Sequence, residues 1–235
     1  MNENTKFLDS VERSIGLVYL TRYPSQGSAD GWIYNVHVDG ALLMSSVAPL
    51  SERVLATSAI AAHKGNGKLR ILIGGLGLGY TGQAALESPR ASVVRVVDCM
   101  DFVISWLRKG LLPLSEQLTT DERMEFVLSD IYGDLLAPPS ETWDIILVDV
   151  DHSPDLPLDP ASLDFYTVDG QQRVRKHLAP GGVLAVWSAT DNDPFADVLA
   201  QTYSESWREE VAWTVKQEGE TDQQLHNVLF FGYNA

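Results

Sequence analysis

Short apolar runs recur along this chain with helix-patterned stretches between them, and that alternation limits the fold more than any other feature. Asp144-Ile-Ile-Leu-Val148 is continuously apolar after its first residue, as a strand covered from both sides must be. Leu69-Arg-Ile-Leu-Ile73, Val93-Val-Arg-Val-Val97, Met124-Glu-Phe-Val-Leu128 and Val183–Trp187 share its branched, apolar texture. Helical spacing is expected over a segment capped by Ser51 and running from Glu52 to about His63, closed by Gly65 and Gly67. It recurs at Tyr80–Glu87, Asp101–Lys109, Asp169–Leu178 and Pro194–Tyr203. Strand–helix alternation at this pitch gives a parallel sheet with helices on both faces. Two late strands, near Glu210–Lys216 and Asn227–Tyr233, are joined by the polar turn Glu218–Gln224 and add an antiparallel edge. The expected fold is α/β: a doubly wound, mostly parallel seven-stranded sheet.

The first 48 residues differ in kind. Ile15–Leu20 and Trp32–Val38 are rich in aromatic and branched side chains, with the turn formers Pro24–Gly31 between them. Asp39-Gly40 then offers a tight turn into Ala41–Met44. The expected organisation is a small antiparallel β unit over 1–48, followed by a nucleoside-binding catalytic domain over 49–235.

Composition narrows the partners. Thirty-two acids against 17 bases leave a net charge of −15, which repels phosphate backbones and anionic membranes. The longest basic stretch, Arg173-Val-Arg-Lys176, reads as a solvated helix face. The single cysteine, Cys99, excludes an internal disulfide and is expected to be a plain buried thiol. No apolar stretch approaches the roughly 18 residues of a membrane span, and the N-terminus lacks a signal peptide's basic start. The expectation is a cytoplasmic protein acting on a small molecule, with no nucleic-acid or membrane partner.

In an open α/β sheet, ligands sit beyond the carboxyl ends of the strands where the strand order reverses. The residues just past each strand therefore matter most. Gly74-Gly75-Leu-Gly77-Leu-Gly79 follows the first; it is either a loop whose backbone approaches a ligand or a tight turn that binds nothing. It is not a dinucleotide fingerprint, since Tyr80 stands where a glycine or alanine is required, and no Gly-Lys-Ser/Thr phosphate loop is present. Asp98 ends the second strand, 25 residues after Ile73; it can accept ribose hydroxyls, or serve the start of the next helix. Asp130 after the third strand can accept an adenine amino proton, or cap the helix from Ile131. The three in order favour an S-adenosyl nucleoside over NAD. After the buried strand, Asp149-Val-Asp151-His152-Ser-Pro154 crowds two carboxylates and an imidazole where substrate meets donor. Asp149, Asp151 and Asp191-Asn192 are also oxygen donors of the kind that hold Mg²⁺, but Asp191 lies beyond the strand end, and no metal is assigned.

From about Ile15 to Tyr233 these residues resemble the spermidine synthase-like group of polyamine aminopropyltransferases, within the class I S-adenosylmethionine-dependent methyltransferase (Rossmann-like) fold. The likeness covers Val38-Asp-Gly40 leading to Met44-Ser-Ser, Glu52, the glycine loop, Val97-Asp98 with Val103-Ile104, Ser129-Asp130, Trp143–Asp149, Phe165-Tyr166 and Leu178-Ala-Pro-Gly-Gly-Val-Leu. It implies that Asp98 holds the ribose and that Asp130 holds the adenine. Together with the reading of the strand ends, the expected donor site is Gly74, Gly75, Gly77, Gly79, Asp98, Asp130, Ile131 and Asp149, and the expected catalytic residues are Asp149, Asp151, His152 and Tyr166, the last matching a tyrosine of that group. The resemblance also makes the β-rich start a candidate homodimer contact. The chain departs from the group at three places. Gly77 stands where the glycine loop carries an aspartate, the Tyr-His-Glu/Gln element is missing around Ser51-Glu52-Arg53, and the Asp-x-x-Asp-Pro loop has its second acid displaced to Asp151 or replaced by His152.

Loss of an acid from the glycine loop makes room for the carboxylate of S-adenosylmethionine. The expected function is therefore alkyl transfer, most simply methyl, from S-adenosylmethionine to an amine or similar nucleophile, with Asp151 or His152 as base. The alternatives are aminopropyl transfer from decarboxylated S-adenosylmethionine to a polyamine, and a non-catalytic nucleoside-binding protein of the same fold.

Overall fold

The computed structural model describes residues 4–28, 30–215 and 223–235. Most of the turn expected over Glu218–Gln224 lies outside them. The chain opens with β1 (Lys6–Arg13), β2 (Gly16–Pro24), β3 (Trp32–Val38) and β4 (Ala41–Ser45), a four-stranded antiparallel sheet in that order. β1 was not expected from the sequence. It is an edge strand whose charged and exposed side chains carry little apolar alternation, as suits an edge that must not pair further.

The second sheet has seven strands: β5 (Leu69–Gly74), β6 (Ala91–Asp98), β7 (Met124–Leu128), β8 (Trp143–Val148), β9 (Leu178–Ser188), β10 (Glu205–Val215) and β11 (Gln223–Asn234). Their order is β10-β11-β9-β8-β5-β6-β7. β5 pairs in parallel with both β6 and β8, while β11 runs antiparallel to β9 and to β10. This is the expected doubly wound sheet. After β5 the chain builds outward through β6 and β7, then returns to place β8 on the other side of β5, so the strand order reverses between β5 and β8.

The helices are α1 (Leu50–Ala62), α2 (Tyr80–Glu87), α3 (Asp101–Arg108), α4 (Ser115–Thr120), α5 (Ile131–Leu136), α6 (Val168–Val174) and α7 (Asp193–Thr202). Alternate residues of the central strands feed two cores. Ile71, Ile73, Ile145, Leu147 and Phe231 pack with Leu55 and Ala59 of α1 and with Val18, Leu20, Tyr34 and Val36 of the small sheet. Leu72, Ile146, Val148, Leu184 and Phe230 pack on the opposite face with Leu135, Val174, Phe195 and Leu199 from α5, α6 and α7. The small sheet thus shares a core with the large one. Among the described residues, no helix is long and apolar enough to cross a membrane.

Three local expectations need correction. Ser51 does not cap α1: the helix starts at Leu50 behind Pro49, with no side-chain cap, and the Ser51 hydroxyl is left for other work. Cys99 is exposed rather than buried, because it follows the last residue of β6. Arg175 in the basic stretch is not merely solvated, since its guanidinium donates to Asn234 Oδ1 at 2.7 Å and to the Thr202 carbonyl at 3.1 Å.

Candidate active site

The glycine loop joins β5 to α2 directly beside the end of β8. At Gly75, φ is +93° and a Cβ would stand 2.1 Å from the Asp149 carbonyl oxygen, so only glycine lets the two strand ends lie together. Gly74 and Gly79 are likewise set by packing, against Ile131 and Leu118. Gly77 is different. Its φ is +51°, and a Cβ there would meet only the Met44 sulfur, at 4.0 Å. The one position of the loop with open space is thus the one where the resembled group carries an acid. Met44 belongs to β4, so the small sheet roofs the loop.

Asp98 is buried at the end of β6. Its Oδ2 accepts the Leu76 N–H of the glycine loop at 2.8 Å and its Oδ1 accepts the Met100 N–H at 2.7 Å. Burial pushes its pKa up, and the two N–H groups oppose the rise. The carboxylate therefore fixes the loop from below while keeping lone pairs free. Asp130 takes the capping option: its side chain accepts the N–H groups of Tyr132 and Gly133 at the start of α5. Ile131 is buried against Gly74.

Beyond β8 the acids separate into two environments. Asp151 is buried, and its Oδ2 accepts the hydroxyls of Tyr132 at 2.8 Å, Tyr166 at 2.9 Å and Ser162 at 3.1 Å. Its Oδ1 accepts the Leu158 N–H at 2.7 Å. Leu158, Ser162 and Tyr166 close the 151–166 segment on itself and Tyr132 ties it to α5, which leaves the carboxylate committed to the loop rather than open to a substrate proton. Tyr166 is the other half of this anchor, with its phenol pushed far up by burial and by Asp151. The His152 side chain is exposed, and its ring makes no hydrogen bond among the described residues. The expected choice of base between Asp151 and His152 thus finds one residue used up as an anchor and the other out in solvent. The oxygen donors weighed for Mg²⁺ are dispersed too: Asp191 pairs with Arg208 at 2.6 Å and Asn192 caps α7.

A second pair of acids, Asp149 and Glu52, meets at the end of β8. Asp149 Oδ2 accepts the Thr81 hydroxyl at 2.8 Å, from the second residue of α2. Burial raises Asp149 to about 6. Glu52, on the first turn of α1, is raised to about 7 by burial and by the Asp149 charge, and the Ser51 hydroxyl opposes this. Tyr80 stands beside them, its phenol raised chiefly by burial, with Asp30 and Glu52 adding to the rise. Two neighbouring carboxyls that titrate near neutrality can attract a cation and take up a proton. Sequence reasoning counted Glu52 only as part of a likeness. The signal was present: residues 52, 55, 56 and 59 form one stripe of α1, and Leu55, Ala56 and Ala59 on it are fully buried. A glutamate on a core-facing stripe is a charge that the fold has to account for.

No protein-family model matches the chain. Over 162 residues, 68% of its length, it is 31% identical to polyamine aminopropyltransferase 2 of Streptomyces coelicolor, and it spans 28% of that relative. Among solved structures it superimposes on the spermidine synthase of Thermotoga maritima with a TM-score of 0.69, covering 97% of this chain and 72% of that one at 16% identity. The chain has the spermidine synthase fold. A probable spermidine synthase from Corynebacterium glutamicum gives a TM-score of 0.62 over 97% of this chain and 79% of that one, at 17% identity. A spermidine synthase bound to the transition-state analogue AdoDATO aligns with a TM-score of 0.69, again over 97% of this chain and 72% of that one at 16% identity. In this spermidine synthase-like fold, the glycine loop, Asp98, Asp149 and Glu52 all gather where the strand order reverses.

Proposed function

We propose that the chain is an aminopropyltransferase that moves the aminopropyl group of decarboxylated S-adenosylmethionine to a primary amine. The observation that carries this is the Glu52–Asp149 pair at the mouth of the glycine loop. A half-buried anionic pair favours a donor whose tail ends in an ammonium over one whose tail adds a carboxylate. The sequence argument for intact S-adenosylmethionine turned on the acid missing at Gly77, beside the missing Tyr-His-Glu/Gln element and the displaced second aspartate. It did not count Glu52, whose charge supplies what the loop lacks. The likeness to the Streptomyces polyamine aminopropyltransferase and to the solved spermidine synthases supports the same reading.

Each residue has a task in this reaction. The loop backbone around Gly77 receives the donor's tail, and Asp98 accepts the ribose hydroxyls with the lone pairs that Leu76 and Met100 leave. Asp130 and Ile131 border the adenine. The acceptor arrives as an ammonium, loses one proton to the Glu52–Asp149 pair, and forms a C–N bond to the carbon on the sulfonium. The C–S bond breaks with its electrons going to sulfur, which leaves as a neutral thioether. Most of the acceleration is positioning in line with that bond, and the base adds to it. The 151–166 segment, held by Asp151, Tyr132 and Tyr166, covers the acceptor.

Incubating the protein with a short diamine and either form of the donor tests the reading. Release of methylthioadenosine with a new secondary amine is expected from the decarboxylated form. Transfer from intact S-adenosylmethionine alone, giving S-adenosylhomocysteine, would overturn it in favour of methyl transfer, the reading that the bare Gly77 position favours.

A further inference from the structure

Glu52 is held on its outer side by a chain of hydrogen bonds that the proposed chemistry does not itself require. The Trp187 indole N–H, at the end of β9, donates to Ser51 Oγ at 3.0 Å. The Ser51 hydroxyl in turn donates to Glu52 Oε2 at 3.2 Å. Ser51 is only 2% exposed, so no bulk water competes for its hydroxyl. An indole nitrogen can only donate. Once it occupies a lone pair of Ser51 Oγ, the single hydroxyl proton has to be spent on a different neighbour, and the Glu52 carboxylate is placed to receive it.

We propose that Trp187 is a positioning residue for Glu52, acting through the Ser51 hydroxyl. The inference rests on the reading of Glu52 as part of the proton-accepting pair. The arrangement mirrors the one on the other acid, since Thr81 in the first turn of α2 donates to Asp149 as Ser51 in the first turn of α1 donates to Glu52. Among the described residues, the two sides differ in that only the Ser51 hydroxyl also accepts from a third residue. The charged and titratable groups that face Glu52 are Asp149 from the loop after β8 and Tyr80 from α2. Burial and the Asp149 charge make ionisation of Glu52 harder, and a backbone N–H and the Ser51 hydroxyl oppose them. Removing the indole N–H frees the hydroxyl to rotate, and Glu52 then holds its proton to higher pH.

The test follows Glu52 directly, in full-length protein without donor or acceptor. Glutamate side-chain carboxyls are labelled with ¹³C, and the Glu52 resonance is assigned by its absence in Glu52→Gln. Trp187→Phe and Ser51→Ala should each raise the Glu52 midpoint by about one pH unit, and the double variant should rise no further. Ser51→Thr, which keeps the hydroxyl, should titrate as the parent does. Replacing Trp187 by 3-benzothienylalanine keeps the ring shape and removes only the N–H, so it should reproduce the Trp187→Phe shift without a packing change. An unmoved midpoint with the benzothienyl side chain, or shifts that add in the double variant, would overturn the relay. Because no substrate is present, a protein that failed to transfer aminopropyl groups would sink the proposed reaction while this titration still stood or fell by itself.

Discussion

At the scale of single residues, the site turns on which carboxylates are committed and which are free. Glu52→Gln removes the group that titrates near 7, and transfer should fall by about 10²-fold or more, a range common for a lost general base. Stability should move the other way. A carboxyl raised from its ordinary 4.5 to about 7 holds its proton in the folded state while the unfolded chain has already lost it. Folding therefore loses stability as pH rises through that window. Thermal melts should show Glu52→Gln matching the parent near pH 4 and melting higher above pH 7, by up to about 7–14 °C, the worth of about 3 kcal/mol in a chain of this size. A parent that melts higher at both ends would mean that Glu52 is not strained by its charge. Asp151→Ala strands several buried donors at about 1–3 kcal/mol each. It should destabilise the chain by several kcal/mol and expose the 151–166 segment to protease, whereas His152→Ala should leave stability within about 0.5 kcal/mol and turnover near the parent's. The sequence could place Asp149, Asp151 and His152 in one stretch, but not divide them. Their division depends on Tyr132, Tyr166 and Ser162 closing on Asp151, residues up to 19 positions away whose approach only the fold sets.

At the scale of elements, strands and helices with strong internal pattern were readable, and those held by their neighbours were not. Tyr80–Glu87 and Met124–Leu128 have the bounds their periodicity predicts. β1 and α4 carry little pattern of their own: β1 is an exposed edge, and α4 is six residues long with only Ser115 and Leu118 buried. The late strands run longer than their apolar centres, Glu205–Val215 and Gln223–Asn234, because pairing along β11 extends them past the branched residues. The glycine loop was legible as a turn, and the reasons for each glycine were not. Gly75→Ala should disrupt the loop, since its Cβ would collide with the Asp149 backbone. Gly77→Asp has room and a left-handed φ that aspartate tolerates at a cost of about 1–2 kcal/mol. Its expected effect is on choice of donor: calorimetric titration should show the decarboxylated form gaining on intact S-adenosylmethionine by about tenfold, the worth of one added pKa-unit-sized interaction. Equal weakening of both donors would mean that the tail does not lie at Gly77.

At the scale of the whole molecule, the two sheets are one packing problem. A division at residue 48 follows the change of texture in the sequence, from hairpins to strand–helix alternation, and says nothing of how the halves share a core. Val18, Leu20, Tyr34 and Val36 of the small sheet are buried in the same cluster as Leu55, Ala59, Leu76 and Leu78. Arg13 reaches across to Asp101 at 2.7 Å and the Trp106 indole donates to Asp9, so β1 is also tied to α3. A chain beginning at residue 49 would leave the α1 and glycine-loop side chains without their cover, each large one losing about 1.5–3 kcal/mol of burial. Against a total stability of about 5–15 kcal/mol, a handful of such losses removes the native state. The 49–235 fragment should therefore show no cooperative thermal transition and should bind a hydrophobic dye, with helix content retained in part. A sharp transition in that fragment, with donor binding intact, would show instead that the small sheet is an accessory. The site argues against that outcome as well, since Met44 and Tyr34 with Ser46 are the small sheet's contribution around Gly77 and Tyr80. The same sheet that completes the core roofs the place where the donor's tail would lie, and loss of fold and loss of binding should appear together.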